Sequence, residues 1–241
     1  MNSYVSPVGL PSGLTAALLE RQAVATEWWR EGKRLYLLAE GDGQRLFGRA
    51  SDDSADQAVL AHEVQIRALL GQAGPLAVPA VLDFGQNWML ERAVSGTRWS
   101  GTEAKTLAQA SEQIARLAIP SAPSVFNDRY RRAAVVARRV RQVVRPALAL
   151  DAVRARRILG SSELPSVTSH GDFHPGNVLF EGGRVWVFDW ELSGVRPYGY
   201  DLMQFRANLV DPSERASVFQ VALDLVGKKR ESALLRLAYA L

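Results

Sequence analysis

Two carboxylates and a carboxamide stand close together in the second half of the chain: Asp172, Asn177 and Asp189. All three are hard oxygen donors, the ligand type that suits magnesium. Between Asn177 and Asp189, Gly182-Gly183 separates two short runs, Val178 to Phe180 and Arg184 to Phe188, and a glycine pair suits a two-residue hairpin turn with positive φ. Such a hairpin folds Asp189 back toward Asn177, so that ligands about a dozen residues apart can share one ion. One chemistry such a set could serve is phosphoryl transfer. Its loose transition state asks a protein to position groups and neutralise charge more than to supply a strong base.

The stretch Ser169-His170-Gly171-Asp172-Phe173-His174-Pro175-Gly176-Asn177, followed by Val187-Phe188-Asp189-Trp190-Glu191, resembles the catalytic and metal-binding loops of the aminoglycoside-phosphotransferase and choline-kinase family. The resemblance implies an α+β, two-lobed protein-kinase-like fold. Residues 1–94 would form an N-lobe, a small antiparallel sheet with one helix that binds nucleotide. Residues 95–241 would form a mostly helical C-lobe with the catalytic loop, the metal loop and the acceptor site. It further implies Mg2+, with ATP or GTP as phosphoryl donor between the lobes, and a small-molecule hydroxyl acceptor such as a sugar, an amino alcohol or an aminoglycoside. In that scheme Asp172 accepts a hydrogen bond from the acceptor hydroxyl and orients it, while Asn177 and Asp189 hold magnesium against the nucleotide phosphates. His170 would pack against the metal loop, and Asp201, in Tyr198-Gly199-Tyr200-Asp201-Leu202, would brace the backbone of the catalytic loop. His174 reads as ordinary loop packing.

Upstream, Arg45-Leu46-Phe47-Gly48-Arg49 falls where the family places a phosphate-contacting lysine or arginine, and Glu63 falls where the partner helix supplies a carboxylate. Strand alternation puts Phe47 and Arg49 on one face, suited to a ring contact with the base and a cation over the phosphates. Met89-Leu90-Glu91-Arg92-Ala93 resembles the family hinge, where the Glu91 carbonyl and the Ala93 amide would bond the base. Two features depart from the pattern. Arginine, with its planar fork, replaces the commonest lysine, and no G-x-G-x-x-G run lies between the first strands. Those departures keep a rival reading in play, a pseudokinase or regulatory nucleotide-binding module with little turnover.

The elements that must position these residues are legible from periodicity. Gln22 to Arg30, Arg34 to Glu40 and Arg45 to Ala50 read as a three-strand meander turning at Glu31-Gly32-Lys33 and Gly41-Asp42-Gly43. Ser54 with Gln57 forms a capping-box pattern opening a helix through Val59, Ile66 and Leu70, and strands are expected at Ala80 to Phe84 and Trp88 to Arg92. Ser100 with Glu103 opens a second helix before Pro120, and Asp211-Pro212-Ser213-Glu214 opens another that runs to about Gly227. Between them, ten arginines stand against Asp151 alone from Arg129 to Arg157, on an amphipathic pattern carried by Val136, Val140, Val143 and Val144. This segment offers either a solvated face or an anion-binding patch, while the net charge of +4 does not imply nucleic acid. The absence of cysteine removes disulfides and thiolate metal sites. No apolar run of membrane-spanning length and no secretory signal pattern occurs, which gives the expectation of a cytoplasmic protein with no membrane partner.

Overall fold

The computed structural model describes residues 10–70, 75–118 and 164–241. They divide into two compact units, Met1–Gly71 with Val78–Ser95, and Gln72–Ala77 with Gly96–Leu241. The helices expected through the arginine-rich segment and up to Gly160 lie outside the described residues. Among the described residues, no helix is long and apolar enough to cross a membrane.

The first unit is built on the expected meander. Strands β1 (Val24–Glu31), β2 (Arg34–Gly41) and β3 (Gln44–Ser51) pair antiparallel in sequence, and two later strands complete the sheet. The two-residue β4 (Leu76–Ala77) belongs to the other unit; β5 (Val81–Phe84) and β6 (Trp88–Arg92) give the order β1-β2-β3-β6-β5. The second turn has Asp42 and Gly43 at φ 52° and 69°, the left-handed pair that matches the twist of a two-residue hairpin. Alternation then sorts the side chains. Leu35, Leu37, Ala39, Leu46, Ala50, Trp88 and Leu90 are buried on one face, together with Leu14, Ala17 and Leu18 of a helix α1 (Ser12–Glu20). A Cβ on Gly48 would stand 2.9 Å from the Leu37 side chain, so glycine lets β2 and β3 pack closely on this face. The sequence reading did not include α1. Its N-cap position is held by Pro11 with no side-chain cap bond, so the usual start signal is missing.

Helix α2 (Ser54–Leu69) covers the opposite face, where Arg49 and Glu91 meet its Glu63 and Arg67. Ser54 is its first helical residue, so the capping-box expectation for Ser54 and Gln57 is corrected: the Gln57 N–H bonds the Asp53 carbonyl in the ordinary first turn.

In the second unit, α3 (Ala104–Ala115) starts one residue after Glu103, and Glu103 reaches back to the Ser100 N–H and hydroxyl at 3.1 and 2.6 Å in a turn ahead of the helix. Strand β7 (Ser166–Ser169) enters the stretch 170–177, and β8 (Val178–Glu181) leaves it to form an antiparallel hairpin with β9 (Arg184–Val187). Gly182 and Gly183 make its turn at φ 56° and 75°. β4 adds to β9 in parallel, and β10 (Gly194–Pro197) returns to pair with β7. Helices α4 (Tyr200–Ala207), α5 (Pro212–Val226) and α6 (Glu231–Ala240) complete the unit. α5 begins as its sequence implies, with Asp211 accepting from the Ser213 and Glu214 N–H groups at 2.6 and 3.3 Å.

Leu37 is fully buried in the first unit's core. We expect Leu37→Ala to lower the unfolding free energy by about 2–5 kcal/mol in urea denaturation, the range for removing a packed leucine without collapse of the cavity.

Candidate active site

The loop between β7 and β8 is held by one buried carboxylate. Asp201, in the first turn of α4, accepts the Ser169 hydroxyl at 2.6 Å and the Gly171 N–H at 3.1 Å on one oxygen, and the His170 N–H at 2.9 Å on the other. Gly171 sits at φ 85°, and a Cβ there would lie 2.2 Å from the Leu192 carbonyl oxygen, so the loop turns at a place that only glycine fits. His170 carries the constraint onward. Its Nδ1 accepts the Asp172 N–H at 3.2 Å and its Nε2 stands 2.8 Å from the Phe188 carbonyl oxygen. Because Nδ1 is an acceptor, the ring proton is on Nε2 and donates to Phe188. One imidazole therefore ties the backbone of Asp172 to the residue preceding Asp189.

Asp172 is fixed through both carboxylate oxygens. Gln204 Nε2 donates to Oδ1 at 3.1 Å, and Asn177 Nδ2 donates to Oδ2 at 3.2 Å and to the Asp172 carbonyl at 3.0 Å. His174 Nε2 lies 3.5 Å from Oδ2, and its Nδ1 accepts the Gly176 N–H at 3.0 Å, which leaves the proton on Nε2, facing Asp172. The Asp172 side chain still keeps 29 % of its surface open, enough for a ligand to reach it. On the hairpin, the Phe188 N–H donates to the Asn177 carbonyl at 3.0 Å, which sets Asp189 one residue beyond the last cross-strand bond. Asp189 itself has φ 60° and ψ 61°, a left-handed conformation that a residue with a Cβ adopts at a cost of about 1 kcal/mol. Asp172, Asn177, His170 and Asp201 are thus joined by direct hydrogen bonds, and the hairpin backbone delivers Asp189 beside Asn177.

In the first unit, Arg49 and Glu63 form an ion pair in which Glu63 is fully buried and Arg49 is 11 % exposed, so the arginine is not a surface residue. Arg67, four residues after Glu63 on the same helix face, bonds both Glu63 and Glu91. The result is a buried chain of alternating charge, Arg49–Glu63–Arg67–Glu91. Burial alone pushes the Glu63 carboxyl up, but the Arg49 and Arg67 guanidinium groups outweigh it and bring it down to about 2. Burial raises Glu91, which has Arg67 as its one hydrogen-bonded guanidinium and feels repulsion from Glu63. Phe47 lies on the Arg49 face and its ring stacks on Tyr36, which in turn stacks on Trp29, with centroids 6.1 and 5.4 Å apart. At the expected hinge, part of the backbone is already engaged. The Ala93 N–H already donates to the Arg45 carbonyl at 2.9 Å, and Glu91 stands inside the sheet, in register with Phe47 on β3 and Val81 on β5. This bond beside the β3–β6 ladder takes up the amide that the resemblance assigns to the base.

Sequence reasoning missed Arg67 and Gln204. The first carries the i,i+4 spacing from Glu63, and the second stands one turn after Asp201. Both spacings were readable once their helices were known.

A model of the phosphotransferase enzyme family matches residues 31–230. The chain belongs to that family. A macrolide 2'-phosphotransferase from Brachybacterium faecium superposes with a TM-score of 0.67 at 16% identity, covering 94% of this chain and 87% of its own. The streptomycin–ATP complex of APH(2")-IIa gives 0.62 at 12% identity over 95% and 87%. The GDP and kanamycin complex of APH(2")-IIia gives 0.64 at 14% over 93% and 86%. At these identities the superpositions establish the shared fold, which is α+β and protein-kinase-like. No curated protein matches the chain. As a family member the protein is a small-molecule phosphotransferase, and the loop that carries its resemblance to the family is the one that Asp201 holds.

Removing the Asp201 carboxylate strands the Ser169 hydroxyl and the His170 N–H and leaves the Gly171 N–H only its bond to Ser169 Oγ. Asp201→Ala should therefore cost at least about 3 kcal/mol in urea unfolding, with Asp201→Asn losing less because its amide oxygen still accepts. Glu63 makes a pH-dependent contribution. Its folded carboxyl titrates near 2 against an ordinary 4.5, so the stability it brings is complete above about 4.5 and is lost as pH falls toward 2. Glu63→Gln should cost about 3–5 kcal/mol at pH 7, and the gap from wild type in urea midpoints should close across that window.

Proposed function

We propose that this phosphotransferase moves the γ-phosphoryl group of ATP or GTP, with Mg2+, to a hydroxyl of a small-molecule acceptor. The observation that carries the reading is the double restraint on Asp172 by Asn177 and Gln204, which leaves a partly open carboxylate in a fixed orientation. Such a group can accept the acceptor's O–H and set its oxygen for attack. As the oxygen–phosphorus bond forms and the bond to the bridging oxygen of the leaving nucleoside diphosphate breaks, the hydroxyl proton passes to Asp172.

Magnesium fits the donor set. The Asn177 nitrogen is spent twice on Asp172, so its amide oxygen turns away from that carboxylate as a hard ligand, and the Asp189 carboxylate is the second. Among the described residues, no group of three or more His, Cys, Asp or Glu could hold a metal by themselves. Magnesium takes one or two protein ligands and completes its shell with water and substrate phosphates. Bound there, it would neutralise phosphate charge. In the first unit, Arg49, held by Glu63, is the cation we assign to the phosphates, with Phe47 as the ring nearest it in sequence on that face. The hinge contacts to the base then require the Glu91 and Ala93 region to give up a ladder bond or to use neighbouring backbone groups. The related structures that carry ATP with streptomycin and GDP with kanamycin support a purine nucleotide and a hydroxylated acceptor, and they make amino-sugar and macrolide antibiotics the first acceptors to try.

Purified protein with MgATP or MgGTP should hydrolyse nucleotide slowly without an acceptor, and faster with one from a panel of hydroxyl-bearing antibiotics, sugars and amino alcohols. Asp189→Ala should lower the rate about a hundredfold or more. Nucleotide binding with no turnover for any acceptor would favour the regulatory-module reading; no nucleotide binding in a thermal-shift titration would defeat the proposal outright.

A further inference from the structure

Helix α4 grips the catalytic loop at two successive points of one face. Asp201 takes the Ser169, His170 and Gly171 donors; Gln204, three residues later, takes the next two groups of the loop. Gln204 Oε1 accepts the Phe173 N–H at 3.2 Å while its Nε2 donates to Asp172 Oδ1 at 3.1 Å. The amide cannot be turned around. A flip would set NH2 against the Phe173 N–H and an oxygen against the Asp172 carboxylate, two repulsive contacts in place of two bonds. Gln204 is itself buried, so water does not compete for either bond. Its own carbonyl accepts the Asn208 side chain at 2.9 Å, which holds the end of the helix.

We infer that Gln204 is a positioning residue for phosphoryl transfer, fixing through its Nε2–H the rotation of the Asp172 carboxylate toward the acceptor hydroxyl. This rests on the function proposed above. Oδ1 is committed to Gln204, so the carboxylate plane cannot swing about its Cβ–Cγ bond without breaking that bond, and Oδ2, with Asn177 and His174 beside it, keeps a set direction. An acceptor oxygen is then met by a carboxylate already aligned, which acts on the chemical step and not on nucleotide binding.

Two substitutions separate positioning from simple packing. Gln204→Met removes both bonds at similar volume. Gln204→Glu keeps an oxygen for the Phe173 N–H but puts no amide donor against Asp172. MgATP hydrolysis without acceptor, with water as the attacking hydroxyl, is the assay, run at pH 8 beside thermal unfolding. We expect kcat to fall at least about tenfold in both variants with KM for MgATP within about twofold of wild type. A Gln204→Glu protein that keeps kcat within about threefold of wild type, or variants whose KM rises as steeply as kcat falls, would overturn the inference. Should Gln204→Met fail to fold, Gln204→Glu decides alone, since it retains the packing bond. Wild-type protein that binds no nucleotide and hydrolyses none would instead sink the functional proposal, and this role with it.

Discussion

A buried carboxylate is expensive unless donors surround it, and Asp201 has three. That requirement runs both ways: the catalytic loop cannot leave Asp201 without stranding a charge, and Asp201 cannot be removed without stranding N–H groups. Everything downstream inherits its position from this contact. His170, whose N–H is one of the three donors, passes it to Phe188, the residue before Asp189. Asp172 lies two residues after His170 and is caught from the far side by the same helix that carries Asp201. The loop is therefore ordered by the protein alone, ahead of any ligand, which is the condition for catalysis by placement.

The first unit solves a similar problem with a longer device. Arg49 projects from the sheet face that also carries Tyr36, Phe47 and Glu91, and one glutamate would leave a lone pair of charges between strand and helix. Arg67 and Glu91 extend the pair to four alternating charges, net neutral, linking β3, α2 and β6. Within it, Glu63 is hydrogen-bonded to two cations and stays ionised to low pH, while Glu91, raised by burial and hydrogen-bonded to Arg67, is the first of the two to take up a proton on acidification.

Much of this was readable in the sequence where local chemistry and tertiary demand coincide. The meander, its glycine turns, the Gly182-Gly183 hairpin and the Asp211-Pro212 helix start all carry strong local signals, and the loop motif carried Asp172, Asn177 and Asp189. What stayed hidden lacked local signals. α4 starts after Gly199 in a left-handed conformation with no capping side chain, and its buried face mixes Asp201 and Gln204 with Leu202, Met203 and Phe205, so no apolar stripe announces it. β7 and β10 are four residues each, too short for alternation to stand out. Charge alternation across Arg49, Glu63, Arg67 and Glu91 joins residues far apart in the chain, and only the folded sheet shows that they form one line. The Ala93 amide is the reverse case, because the resemblance assigns a base contact to a group that bonds the Arg45 carbonyl.

Asp189 occupies backbone space that glycine would fill more comfortably and asparagine nearly as well. A lineage that ceased to need the carboxylate could relieve that backbone cost by exchanging it for glycine in a single step. Persistence of aspartate at that spot is accordingly a sensitive gauge of use: among descendants and duplicates of this gene, it is the first place where retirement from chemistry would leave a trace.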